Sequence, residues 1–142
     1  MTSKASINRK IVVESVPSAV EGVCERILAE LKANNFSEDD IFAVHLAVEE
    51  AFLNAVKHGS KMDPNKEITI HYSVGADEVE ISMTDQGNGF DPNIVPDPRC
   101  GENLYKTDGR GLFLMRSYMD RVEYNKRGNR VRMVKYKNKK LK

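Results

Sequence analysis

Several stretches of this chain alternate apolar and polar residues, and two others repeat apolar residues at steps of three and four. From about Ile7 to Val16, Ile11 and Val13 share a face, which predicts a first strand. Pro17-Ser18 breaks it, and Ser18 with Glu21 has the capping-box spacing that opens a helix. That helix carries Val20, Val23, Ile27, Leu28 and Leu31 as its apolar stripe, and Asn34-Asn35 ends it. Ser37 with Asp40 opens a second helix, from roughly Glu38 to Lys57, closed by His58-Gly59. A turn spans 61–65. Ile68, Ile70, Tyr72 and Val74 then alternate with Thr69, His71 and Ser73. Gly75-Ala76-Asp77 makes a hairpin turn into Val79, Ile81, Met83 and Asp85, which alternate with Glu80, Ser82 and Thr84.

Between Asp91 and Asp108 the periodicity vanishes, and Pro92, Pro96, Pro98 and Gly101 mark an irregular loop of the length that usually carries function or motion. Gly109-Arg110-Gly111 ends it and starts a short helix, Leu112 to Met119. Strands Arg121–Asn125 and Arg130–Tyr136 follow, joined by a turn at Arg127-Gly128-Asn129, and the tail Lys137–Lys142 is basic. The order β-α-α-β-β-loop-α-β-β predicts an α+β fold. It is a two-layer α/β sandwich, with a mixed, mostly antiparallel sheet covered on one face by helices.

The 142 residues fit one domain, 1–142, long enough to bury a core without staples. With 22 basic and 21 acidic residues, bulk charge gives no argument for nucleic acid or membrane. Cys24 and Cys100 lie far apart without metal-like spacing and read as free thiols of a reducing compartment. No apolar run is long enough to span a bilayer, and Met1–Ala5 lacks the apolar stretch of a secretory signal, so a cytoplasmic location is expected.

Three segments carry candidate chemistry. In Asp85-Gln86-Gly87-Asn88-Gly89-Phe90, the strand period turns the Asp85 carboxylate to the face of Val79, Ile81 and Met83. A buried carboxylate needs a partner, and Gly87 and Gly89 allow close approach beside it. The amino group of a nucleotide base suits such an acceptor. On the second, nearly all-apolar helix, Glu50, Asn54 and His58 form a polar stripe at steps of four. A water-facing surface stripe is one reading of it. The other is a metal-phosphate site, with the Asn54 carbonyl as a hard ligand for Mg²⁺ and the Glu50 carboxylate able to take a proton from an attacking hydroxyl. Gly109-Arg110-Gly111 feeds a helix N-terminus, which presents N–H groups to anions.

These segments resemble a known superfamily. Glu50-Ala51-Phe52-Leu53-Asn54-Ala55-Val56-Lys57-His58-Gly59, Asp85-Gln86-Gly87-Asn88-Gly89-Phe90 and Gly109-Arg110-Gly111-Leu112 are similar to the three nucleotide-binding boxes of the Bergerat ATP-binding fold. That superfamily includes DNA gyrase, heat-shock chaperones, histidine kinases and mismatch-repair ATPases. Within it, the wording of the first box and the run Gly111 to Asp120 resemble the anti-sigma-factor serine kinases. The resemblance implies that Asn54 holds the Mg²⁺ that bridges the triphosphate of ATP. By the same resemblance Glu50 is the general base for a protein serine hydroxyl, and Asp85 accepts from the adenine amino group. It further implies that Gly87 and Gly89 form the adenine pocket and lid hinge, that Asp91–Asp108 is the lid, and that Gly109 and Gly111 close on the phosphates. Lys106 and Arg110 are the basic side chains nearest the γ-phosphate, with a surface-charge reading equally open. Asn129 stands where many relatives carry a threonine that holds the adenine end; an asparagine can also hydrogen-bond there.

The implied function is an ATP-dependent protein serine/threonine kinase in a partner-switching circuit. It would hold a sigma factor inactive and phosphorylate a STAS-domain anti-anti-sigma protein. Relatives often dimerise, so a homodimer is a further expectation, with no direct nucleic acid or membrane partner. The alternative is a catalytically inactive module, gated by ATP or ADP, that sequesters a regulatory partner. A histidine kinase is disfavoured, because no histidine precedes Ser37. His45, in an apolar stretch, reads as packed rather than as a ligand. His71 reads as solvent-exposed, and His58 as capping its helix end.

Overall fold

The computed structural model describes residues 7–59, 63–86, 115–126 and 128–137. The alternating stretches become strands β1 (Ile7–Glu14), β2 (Glu67–Val74), β3 (Glu78–Asp85), β4 (Arg121–Tyr124) and β5 (Arg130–Tyr136). They form one sheet in the order β1-β2-β3-β5-β4. Every pairing among the described strands is antiparallel, which bears out the mostly antiparallel sheet expected from sequence, with no parallel pair among the described strands. β1, β2 and β3 run as a meander, and the chain then crosses β5 to lay β4 on the far edge.

The register decides which side chains meet. Ile11, Ile70, Met83 and Val131 oppose one another across four strands, and Tyr124 on β4 continues that row. Ile68 opposes Asp85 in the next row towards the end of β3. Two helices, α1 (Val20–Ala33) and α2 (Glu38–Asn54), supply most of the rest of the core, with Phe36, Val56, Met115 and Met119 added from outside them. Val23, Ile27 and Leu31 of α1 and Val44, Val48 and Phe52 of α2 are fully buried with Ile68, Ile70, Ile81 and Met133 of the sheet. Each such side chain contributes about 1.5–3 kcal/mol on burial. On the other sheet face, Glu80, Arg132 and Glu123 form a charged ladder, with Arg132 forked on Glu80 at 2.7 and 3.2 Å.

The helix ends follow local chemistry, with two departures from expectation. Ser37 caps α2 as predicted, its Oγ accepting from the Asp40 N–H at 3.0 Å. Ser18 does not cap α1. It lies inside a 3₁₀ turn, Pro17–Ala19, that runs straight into the helix, and an N-cap needs extended backbone that this turn denies it. Asn35 ends α1 in the left-handed region at φ 65°, with the Phe36 N–H returning to the Leu31 carbonyl at 3.0 Å. At the other helix the expected glycine stop at Gly59 does not form. α2 passes into a single π-helical turn, Ala55–Gly59, and Gly59 has no left-handed backbone; among the described glycines only Gly128 does.

Residues 115–118 are helical and sit on α2, where Tyr118 meets Phe42 edge to face at 6.4 Å. The residues after them are pinned to β5. Asp120 N–H donates to the Val134 carbonyl at 2.8 Å, and its Oδ2 accepts from the Tyr136 N–H at 2.7 Å. Among the described residues, no helix is long and apolar enough to cross a membrane.

Candidate functional site

The C-terminal end of α2 points at the end of β3, and a cleft opens between them. Ala51, Asn54 and Ala55 line it from α2 and the turn that follows, and Met83 and Asp85 from β3. Tyr124, Gly128, Asn129, Arg130 and Val131 close it from the β4–β5 hairpin. The cleft is shallow and open to solvent, and the roughly 250 Å³ of unfilled space it spans includes that open solvent. Small residues on the helix side make the room: Ala51 and Ala55 flank Asn54 where longer chains would fill the gap.

Asp85 is 6% exposed. It is the last residue of β3, so the strand period turns it towards the helices. Its N–H donates to the Asn129 carbonyl at 2.9 Å, which ties the ends of β3 and β5. The next residue anchors the strand end from the other side, where Gln86 Oε1 accepts from the Glu67 N–H at 2.8 Å. Gly59 packs against the Asp85 carboxylate, and a Cβ there would overlap its oxygens. The sequence reading gave Gly59 the role of helix stop; its lack of a side chain serves this close approach instead. The π-helical turn holds an extra residue compared with an α turn, and single turns of this kind are rare and frequent at functional sites. It also takes His58 out of the step-of-four stripe that Glu50 and Asn54 share, so His58 lies in that turn rather than at an α-helical end.

Tyr124 was missed by motif reasoning. Its phenol and the Asn54 side chain are hydrogen-bonded. Burial pushes that phenol up to about 12, and the Asp85 charge adds to the rise, while Asn54 and Arg116 oppose it. The alternation of Val122 and Tyr124 along β4 was the available signal, because it turns both towards the helices. Asn129 lines the cleft, yet its amide is occupied by protein. Its Oδ1 accepts from Asn125 Nδ2 at 2.8 Å, and its Nδ2 faces the Asp85 carbonyl at 3.4 Å.

Glu50 sits one helical turn before Asn54, half-buried, beside the described lining rather than within it. Its neighbour Glu49 is turned to His45, with the carboxylate 3.2 Å from Nε2. His45 is therefore not a packed core residue: its side chain is 41% exposed and paired. Gly87, Gly89, Lys106, Gly109, Arg110 and Gly111 lie outside the described residues, as do the Asp91–Asp108 loop, Cys100, the start of the helix at Leu112 and the end of the basic tail.

The donor set fits a magnesium nucleotide. Asn54 offers a neutral amide oxygen of the kind hard cations accept. Asp85 offers a carboxylate at the apolar end of the same cleft, next to Met83, where a base ring could lie.

Comparison with known proteins shows the family and the fold. The family model of the histidine kinase-like ATPase domain matches residues 13–135. Serine-protein kinase RsbW of Listeria innocua is 36% identical over 112 residues, covering 74% of this chain and 71% of the relative. Serine-protein kinase RsbW of Bacillus subtilis is 36% identical over 110 residues, covering 72% and 69%. The crystal structure of the RsbU and RsbW domains of a Mycobacterium tuberculosis protein superposes with a TM-score of 0.63 over 93% of this chain, at 16% identity. This chain spans 32% of that larger one, and the likeness speaks for the fold alone.

Proposed function

The chain belongs to the histidine kinase-like ATPase domain family, with serine-protein kinases as relatives, and from that premise we propose that it is an ATP-dependent anti-sigma serine kinase whose substrate is a STAS-domain anti-anti-sigma protein. It holds a sigma factor inactive. The observation that carries this reading is the single cleft joining Asn54 at the end of α2 to Asp85 at the end of β3.

In this reading Asp85 accepts a hydrogen bond from the adenine amino group, and Gly59 and the Asn129 carbonyl hold that carboxylate's strand end in place. The Asn54 amide oxygen is the protein ligand for Mg²⁺, and Tyr124 fixes the amide's orientation. When bound, Mg²⁺ neutralises charge on the phosphate oxygens. Glu50 stands one turn along α2 from Asn54, where it orients the serine hydroxyl of the partner and takes its proton. Pairing of Glu49 with His45 leaves Glu50 as the carboxylate on the Asn54 face.

The test is phosphotransfer from labelled ATP, with magnesium, to a STAS-domain partner. Wild type transfers, and Glu50→Gln loses about 10²–10⁴-fold in rate, the usual contribution of a general base. Equal rates remove Glu50 as the base. ADP binding with no transfer to any such partner would instead favour a nucleotide-gated binding module.

A further inference from the structure

Away from the nucleotide cleft, α1 and α2 bring three chemically different donors together. Cys24 on α1 is 5% exposed. His45 and Glu49 lie one turn apart on α2, each side chain 41% exposed, with Nε2 and Oε2 3.2 Å apart. One donor atom from each of the three residues lies within 4.8 Å of the other two. We propose that these residues form a transition-metal site, suited to Zn²⁺, through Cys24 Sγ, His45 Nε2 and one Glu49 carboxylate oxygen, with water in a fourth position.

Geometry supports the assignment first. Zinc bonds of about 2.3 Å to sulfur and about 2.0–2.2 Å to nitrogen and oxygen set tetrahedral donors roughly 3.3–3.8 Å apart. The His45–Glu49 separation already lies near that span, and rotation of partly exposed side chains closes the remainder towards Cys24. Chemistry points the same way. Thiolate, imidazole and carboxylate together are a borderline-soft set that selects zinc over Mg²⁺ or Ca²⁺, which take oxygens. Thiolate and carboxylate also balance the ion's double charge. On binding, the Cys24 S–H bond breaks, its proton goes to solvent, and a sulfur–metal bond forms with no electron transferred. The exposed sides of His45 and Glu49 give the ion an entry path and leave room for water.

A bound ion would clamp α1 to α2 one residue from Glu50, so the site could set the pitch of the helix that carries the base. The competing explanation is an ordinary i,i+4 His–Glu pair beside a core thiol.

Cobalt separates the two. The probe is Co²⁺ added to the full chain bearing Cys100→Ser, which leaves Cys24 as the sole thiol of the two in the sequence. The proposal expects one equivalent bound, with thiolate-to-cobalt charge-transfer absorption and the intense visible bands of tetrahedral Co²⁺. Zn²⁺ should displace it. Cys24→Ser should abolish the charge-transfer band, and Glu49→Gln, at a partly exposed position, should weaken affinity by more than about tenfold, a loss that even outer-shell changes commonly cause. Unfolding curves without metal should match for Glu49→Gln and its parent, so a misfolded variant cannot imitate the result. Absence of stoichiometric binding overturns the proposal. So does binding that is indifferent to both substitutions, and neither outcome touches the nucleotide site.

Discussion

Gly59 lies against the Asp85 carboxylate with no room for a side chain between them. The contact joins the last turn of the α2 segment to the end of β3, so the two halves of the cleft are set by one missing methyl. Gly59→Ala forces the short, buried Asp85 side chain to move. Overpacking of this kind costs about 1–3 kcal/mol, against which alanine recovers about 1 kcal/mol of helical preference. Net stability should therefore fall by no more than about 2 kcal/mol, while ATP affinity should fall by about tenfold or more, equivalent to about 1.4 kcal/mol. Urea unfolding and calorimetric titration of the same sample separate the two effects. Unchanged ATP affinity would mean that Asp85 does not face the base.

Tyr124 and Asn54 form the second link across the cleft. Tyr124→Phe removes one hydrogen bond to a half-buried amide, which costs about 0.5–1.5 kcal/mol of stability. If the phenol positions the amide, the magnesium concentration needed for half-maximal ATP binding should rise several-fold, while binding of ATP without magnesium stays the same. A variant that loses stability but keeps its magnesium dependence would make Tyr124 a packing residue only.

The two serines before the helices give a control for the local reading. Ser37 caps α2 by accepting from the Asp40 N–H, and Ser37→Ala should lower stability by about 1 kcal/mol. Ser18 has the same sequence spacing to an acid but makes no cap, so Ser18→Ala should leave the free energy of unfolding within about 0.5 kcal/mol of wild type. Equal losses at the two positions would contradict the described helix starts.

Much of the architecture was legible because it rests on periods of two and near four. The strand faces of Ile68–Val74 and Val79–Asp85, the stripe of α1 and the Ser37 cap all follow from spacing. The Ser18 capping box failed because proline and its neighbours made a 3₁₀ turn, a tertiary and backbone effect that spacing does not encode. Glu50, Asn54 and Asp85 were legible as polar residues placed where strand or helix periods predict apolar ones. Tyr124 was not, because an aromatic at an inward strand position reads as core until its hydroxyl is seen beside Asn54. Gly59 was misread because a glycine after a helix usually serves backbone conformation, and here it serves close packing. His45 was placed inside because its neighbours are apolar, yet its side chain is partly exposed and paired with Glu49.

The account stands on Asn54 and Asp85 acting on opposite ends of one bound nucleotide. Calorimetric titration with ATP, ADP and GTP, with and without Mg²⁺, on wild type, Asn54→Ala and Asp85→Asn tests that directly. Wild type should prefer ATP to GTP and bind ATP more tightly with magnesium; Asp85→Asn should lose the adenine preference, and Asn54→Ala the magnesium dependence. Wild-type behaviour in both variants, or loss of the same property from each, would contradict it.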